Sequence, residues 1–255
     1  MNESVAKLFE GWRPKVIFWD MWMTLGMSHC REPIGEAQVI LSPLQLPIGA
    51  NRHPIPTGDF LRFCLTNPTS DETLFAEEAS ATFGWDLDTR RLDAFRTLIG
   101  KEKNCIALFP EVQDVLDFVQ SLGFRQGIIS NLWAFPSGRL FTDTVLSRYF
   151  TRQDIICSFE VRHPKPDREI FDEACRRFGV RPDECLMIGD NLTADIKGAL
   201  ACGMKAALID RQMNVDPAEL VRLTEDGYPP VLYMTDLKVL EQYLALCPAT
   251  SGWRA

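Results

Sequence analysis

The chain lacks any excess of positive charge: 27 Lys and Arg stand against 35 Asp and Glu, a formal charge of −8. An acidic surface gains no electrostatic attraction to nucleic acid or to an anionic membrane, so neither is expected as a partner. No apolar run approaches the ~18 residues that a membrane span needs. Residues 1–15 carry Glu3 and Glu10 and lack the continuous apolar stretch of a secretory leader. The eight cysteines, at 30, 64, 105, 157, 175, 185, 202 and 247, include no Cys-x-x-Cys pair. They read as reduced, mostly buried thiols of a cytoplasmic protein, neither a disulfide frame nor a zinc site. Internal repeats and low-complexity segments are also missing. What remains is a globular chain of 255 residues, long enough for one core domain carrying a smaller inserted one.

Val16-Ile17-Phe18-Trp19 is an apolar run that stops at Asp20, the pattern of a buried strand with Asp20 at its carboxyl end. From Gly26 to Leu108 the character changes. Pro33, Pro43, Pro47, Pro54 and Pro56 predict mostly loop with short helices as far as Asn67-Pro68. Helices are expected over 71–83 and 88–99, either side of Gly84-Trp85. The block 26–108 therefore reads as an inserted helical cap, with Phe60, Phe63, Phe75, Phe83 and Trp85 forming a core of its own.

Regular alternation starts again at Pro110. Val112, Val115, Leu116, Val119 and Leu122 form a helical stripe that Gly123 ends. A strand over 125–129 then runs into Ser130-Asn131. A helix over 166–178 lies between Pro166 and Gly179, and a strand over 185–188 runs into Gly189-Asp190. A helix over 193–202, strands over 206–209 and 231–233, and a helix over 237–246 complete the pattern. Such alternation implies a doubly wound, Rossmann-like α/β core with a parallel sheet, built from residues 1–25 and 109–255. Ligands of such sheets bind beyond the carboxyl ends of strands, where Asp20, Ser130-Asn131 and Asp190 all fall.

Four motifs in order carry a family resemblance. They are Asp20-Met21-Trp22-Met23-Thr24-Leu25, Ser130-Asn131, Lys165 within His-Pro-Lys-Pro, and Gly189-Asp190 followed by Asp195. Together they resemble the haloacid dehalogenase-like (HAD) hydrolase superfamily, with the cap between the first and second motifs. The resemblance implies hydrolysis through an aspartyl intermediate, most simply by a Mg²⁺-dependent phosphatase acting on a small-molecule phosphate. It implies Asp20 as nucleophile and metal ligand, Asp190 as a second ligand, and Asp195 as a ligand or support of the metal. The backbone carbonyl of Trp22 would be a further ligand. Lys165 would offset negative charge at the nucleophile, while Ser130 and Asn131 would bind phosphoryl oxygens and Thr24 would orient the Asp20 loop. The assembly expected is a monomer or homodimer.

One position departs from the phosphatases of that superfamily, which carry a second aspartate two residues after the nucleophile. Here it is Trp22. General acid–base help of that kind contributes about 10²–10⁴-fold. His29, Glu32 and His53 in the cap are candidate replacements. An aromatic residue at this position also fits a metal-independent 2-haloacid dehalogenase, because halide leaves without a proton. Against that, Asp20, Asp190 and Asp195 would repel one another in a crevice that held no cation. Trp22 fits a third class too, a non-catalytic HAD-fold binding protein. Singly, each motif also suits a plain structural role: a turn at Ser130-Asn131, a solvated loop lysine at 165, helix caps at Asp190 and Asp195.

Overall fold

Val16–Trp19 (β1) is buried completely on both faces, which is why its sequence is uniformly apolar rather than alternating. The structure is a computed structural model that describes residues 12–28, 33–49, 54–102, 106–135, 142 and 145–245. After β1 come Gly26–Ser28 (β2), four helices, Pro33–Leu41 (α1), Gly58–Thr66 (α2), Glu72–Phe83 (α3) and Thr89–Glu102 (α4), and Ile106–Leu108 (β3). The remainder runs Val112–Ser121 (α5), Arg125–Ser130 (β4), Ile155–Cys157 (β5), Ser158–Val161 (α6), Arg168–Phe178 (α7), Cys185–Gly189 (β6), Gly198–Ala201 (α8), Lys205–Ile209 (β7), Pro217–Glu225 (α9), Leu232–Met234 (β8) and Val239–Leu244 (α10).

Six strands form one parallel sheet in the order β5-β4-β1-β6-β7-β8. In chain order this is 3-2-1-4-5-6, the doubly wound arrangement, and its direction reverses between β1 and β6. Ile17 and Trp19 face a core shared with Val115 and Leu116 of α5 and with Leu240 of α10. Val16 and Phe18 face the opposite core, with Ile170, Phe171 and Phe178 of α7. The expected α/β core is therefore present, with small shifts in element ends. Three of its elements went unread in the sequence: β5 and α6 are very short, and α9 lies largely exposed, with Leu223 as its buried side chain.

The block between β2 and β3 is helical, and its proline-rich first half holds two nine-residue helices. Asp71 caps α3 by accepting from the Leu74 amide, and Gly84 ends it in the left-handed region. The antiparallel pair β2–β3 joins the two ends of this block, pairing Gly26 with Leu108. Its aromatic core is not its own, as the sequence suggested. Phe60, Phe75 and Phe95 are buried together with Trp133 and Phe135, which follow β4 in the sheet domain. Phe75 meets Trp133 and Phe135 edge-on, at centroid distances of 6.0 and 5.0 Å. Arg62 of α2 adds an ion pair with Asp167 at 2.9 Å. Among the described residues, no helix is long and apolar enough to cross a membrane.

Candidate active site

Asp20 is the first residue beyond β1, and its amide donates to the Ile188 carbonyl at 2.8 Å. That bond carries the β1–β6 pairing one residue further and places Asp20 at the switch point of the sheet. The chain then doubles back. Met23 takes a positive φ of 61°, its amide donates to Gly26 O, and the amides of Leu25 and Gly26 donate to Met21 O.

Lys165 lies between α6 and α7, and all but a few per cent of it is buried. Its Nζ is 2.5 Å from Asp20 Oδ1, 2.6 Å from Asp195 Oδ1 and 2.7 Å from the Ile129 carbonyl. Asn131 fixes the lysine by its main chain: Nδ2 donates to Lys165 O at 2.9 Å, and Lys165 N donates to Oδ1 at 2.7 Å. The Asn131 side chain is thus committed to the lysine loop, a task the motif alone did not suggest.

At the end of β6 the chain enters a π-helical turn, Leu192–Lys197, where the sequence suggested an ordinary helix start. Asn191 caps it by accepting from the amides of Thr193 and Ala194. Asp195 folds back so that its Oδ2 accepts from the Asn191 amide at 2.9 Å. Gly189 makes this possible, because a Cβ there would sit 2.3 Å from Asp195 Cγ. Oxygens of Asp20, Asp190 and Asp195 consequently all lie within 4.8 Å of one another.

One ammonium faces three carboxylates, and the imbalance shows in their titration. Burial pushes the Asp20 carboxyl up to about 7, with Lys165 pulling it down and Asp195 adding to the rise. Burial, followed by the charges of Asp20 and Asp195, pushes Asp190 up to about 8. Burial works against the charge of Lys165, yet Asp195 and Asp20 outweigh it and hold its pKa above the ordinary lysine value. A cluster short of positive charge and made only of oxygen donors fits a hard divalent cation.

Of the other expected residues, Ser130 is fully buried, and its hydroxyl has no hydrogen-bond partner among the described residues. Thr24 is likewise buried with an unpartnered hydroxyl, and it contributes its carbonyl to an arginine instead. Trp22 is half-buried and lines a cavity of about 940 Å³ together with Asn131 and Asp190. His29, Glu32 and His53 lie outside the described residues.

Two residues at the site were missed in the sequence. Glu102 ends α4, which overruns its expected end by three residues, and it lines the same cavity. Arg211, just after β7, donates to Met23 O at 3.1 Å and to Thr24 O at 2.8 Å. It also pairs with Glu111 at 2.6 Å and lies 3.7 Å over the Phe109 ring. One guanidinium thus ties the Asp20 loop to the segment that follows β3. No motif signals it, because the contacts depend on a fork-shaped donor meeting groups far away in sequence.

Two outcomes follow from this geometry. Arg211→Gln should cost about 2 kcal/mol in denaturant unfolding, and Arg211→Lys should recover little of it, since a point charge cannot hold two carbonyls and a carboxylate together. Wild-type stability in the lysine variant would contradict this. Asp20 and Asp190 hold their protons to higher pH folded than unfolded, where aspartate titrates near 3.8. The folded state then binds more protons, so without a divalent cation the unfolding temperature should fall as pH rises from about 5 to 8. A cation favours the ionised carboxylates, so Mg²⁺ should raise the unfolding temperature most at the upper end of that range. A melting temperature in EDTA that climbs across the same range would contradict it.

Comparison with known proteins identifies the family. A family model described as haloacid dehalogenase-like hydrolase matches residues 15–203. The glyceraldehyde 3-phosphate phosphatase of Methanothermobacter thermautotrophicus is 30% identical over 136 residues, 53% of this chain and 58% of that protein. The phosphoserine phosphatase of Thermus thermophilus is 29% identical over 119 residues, 47% of each. The chain thus spans about half the length of the curated relatives it matches. A 2-haloacid dehalogenase structure from Pseudomonas syringae superposes with a TM-score of 0.59 at 22% identity, covering 91% of this chain and 99% of that one. A HAD phosphatase structure from Thermococcus onnurineus gives 0.53 at 18%, covering 90% and 97%. At such identities the structural likeness establishes the fold alone. The family model, which spans most of the chain and all four motifs, establishes more: this protein belongs to the haloacid dehalogenase-like hydrolases.

Proposed function

We propose that the protein is a Mg²⁺-dependent phosphatase that acts on a small-molecule phosphate through Asp20. The observation that carries this reading is the meeting of Asp20, Asp190 and Asp195 within 4.8 Å, with the Lys165 ammonium against two of them. The phosphatase names of both curated relatives support it.

The places of these residues support the following roles. Asp20 attacks phosphorus, the ester oxygen leaves, and water then hydrolyses the aspartyl phosphate. Lys165 favours the ionised nucleophile and offsets charge on the transferring group. The Ser130 hydroxyl, unpartnered and buried, takes a phosphoryl oxygen, while Asn131 holds the main chain of Lys165 in place. Thr24 keeps the Asp20 loop in shape through the carbonyl that Arg211 holds. Mg²⁺, held by Asp20, Asp190, the Trp22 carbonyl and Asp195 directly or through water, would supply charge neutralisation and orientation. We further propose that residues 26–108 act as a cap over the core formed by 1–25 and 109–255, closing the cavity around the substrate.

A second reading, the metal-independent 2-haloacid dehalogenase, is favoured by Trp22 in the position of the missing acid. The two readings separate in one assay series. A panel of phosphate monoesters with Mg²⁺ should reveal turnover that EDTA stops and that Asp20→Asn lowers by at least about 10³-fold. Halide release from 2-haloacids that survives EDTA, with no phosphate released from any ester, would overturn the phosphatase reading.

A further inference from the structure

Met27, Ile55 and Leu61 are 38%, 49% and 37% exposed, and all three line the cavity of about 940 Å³. Single exposed apolar side chains need no explanation, but a group of them around one concavity marks a binding surface. Ile34 joins them from the inserted block, and Trp22 and Met23 from the Asp20 loop. The same cavity reaches the carboxylate cluster. Asp190 lines it, and its carboxylate lies within 4.8 Å of those of Asp20 and Asp195. Asn131, which holds the main chain of Lys165, lines it as well.

The part of this lining that comes from the proline-rich stretch is held by its backbone. The Ile55 amide donates to Pro47 O at 2.8 Å, and Ile48 bridges Pro54. Gln38 of α1, fully buried, grips Thr57 twice: Nε2 donates to Thr57 Oγ1 at 2.9 Å, and the Thr57 amide donates to Oε1 at 2.8 Å. Thr57 in turn caps α2, which carries Leu61. Gly35 lets α1 approach this segment, because a Cβ there would sit 2.0 Å from Pro54 O. A wall fixed in this way offers its side chains to a ligand at little cost in ordering. Trp22, two residues beyond Asp20, adds an aromatic face for stacking. Resting on the phosphatase reading, we infer that the substrate is a phosphate monoester with an apolar, aromatic organic part. Trp22, Ile34, Ile55 and Leu61 hold that part while the phosphate meets Asp20. A phenolate needs less help from an acid to leave than an alkoxide does, which agrees with an indole at position 22.

The test measures kcat/KM of the Mg²⁺-loaded full chain on phenyl, p-ethylphenyl and p-butylphenyl phosphate. Their phenolates are about equally basic, so differences among them report contacts of the alkyl tail and not the ease of leaving. A methylene moved from water onto apolar surface is worth up to about 4-fold, so kcat/KM should rise at least about 10-fold from the phenyl to the p-butylphenyl ester. Ile55→Thr and Leu61→Gln should each lower that ratio by at least about 3-fold. Both side chains are partly exposed, and a ratio taken on one protein does not depend on the fraction folded. A flat series in the wild type, or a ratio that neither variant changes, overturns the inference and leaves the phosphatase reading standing. Hydrolysis of polar phosphates but of none of the aryl esters does the same. A wild type that hydrolyses no phosphate ester overturns both.

Discussion

The Lys165 ammonium, wedged between Asp20 and Asp195, is the contact on which the rest of the site depends. A buried lysine is costly unless its charge is matched, and here it is overmatched. With Asp190 alongside, the cluster carries more negative charge than one lysine offsets, so a cation is the natural completion of the site. The backbone machinery around it serves that crowding. Asn131 grips the lysine by its own amide and carbonyl, Gly189 clears space for Asp195, and a π-helical turn bends Asp195 back toward β6. π-turns recur at functional sites because they aim a side chain where an ordinary helix would not.

A second grouping shows why burial matters. His163 Nδ1 lies 3.5 Å from Asp167 and 3.6 Å from Glu169, close enough to suggest a metal site by distance alone. That group is partly exposed, and Arg62 already occupies Asp167 at 2.9 Å. Water and an arginine satisfy its charges. At Asp20, burial removes the water and, among the described residues, Lys165 is the one cationic side chain in contact, so charge that would be screened at the surface stays unbalanced.

Much of this was legible in the sequence, for physical reasons. β1 had to be buried on both faces, so its apolar run announced both a central strand and the place where it ended. Asp20, Ser130 and Gly189-Asp190 sit at strand ends that hydrophobic pattern alone could locate. Other features depended on contacts between distant segments. The sharing of Trp133 and Phe135 with Phe75 makes the inserted block and the sheet domain one packed unit, although the sequence suggested separate cores. Arg211 and Glu102 lie outside every motif, and only the folded chain brings them to the Asp20 loop and the cavity. The role of Asn131 was hidden for the same reason, since its partner is a main chain 34 residues away.

The most direct test of the account is a crystal structure soaked with Mg²⁺ and a metallofluoride that mimics a transferring phosphoryl group. The account predicts one divalent ion held between Asp20 and Asp190, with Asp195 in its direct or outer shell, and the fluoride group in line with an Asp20 carboxylate oxygen beside Lys165. An ion bound elsewhere, or a metallofluoride that stays away from Asp20 under saturating Mg²⁺, would contradict it.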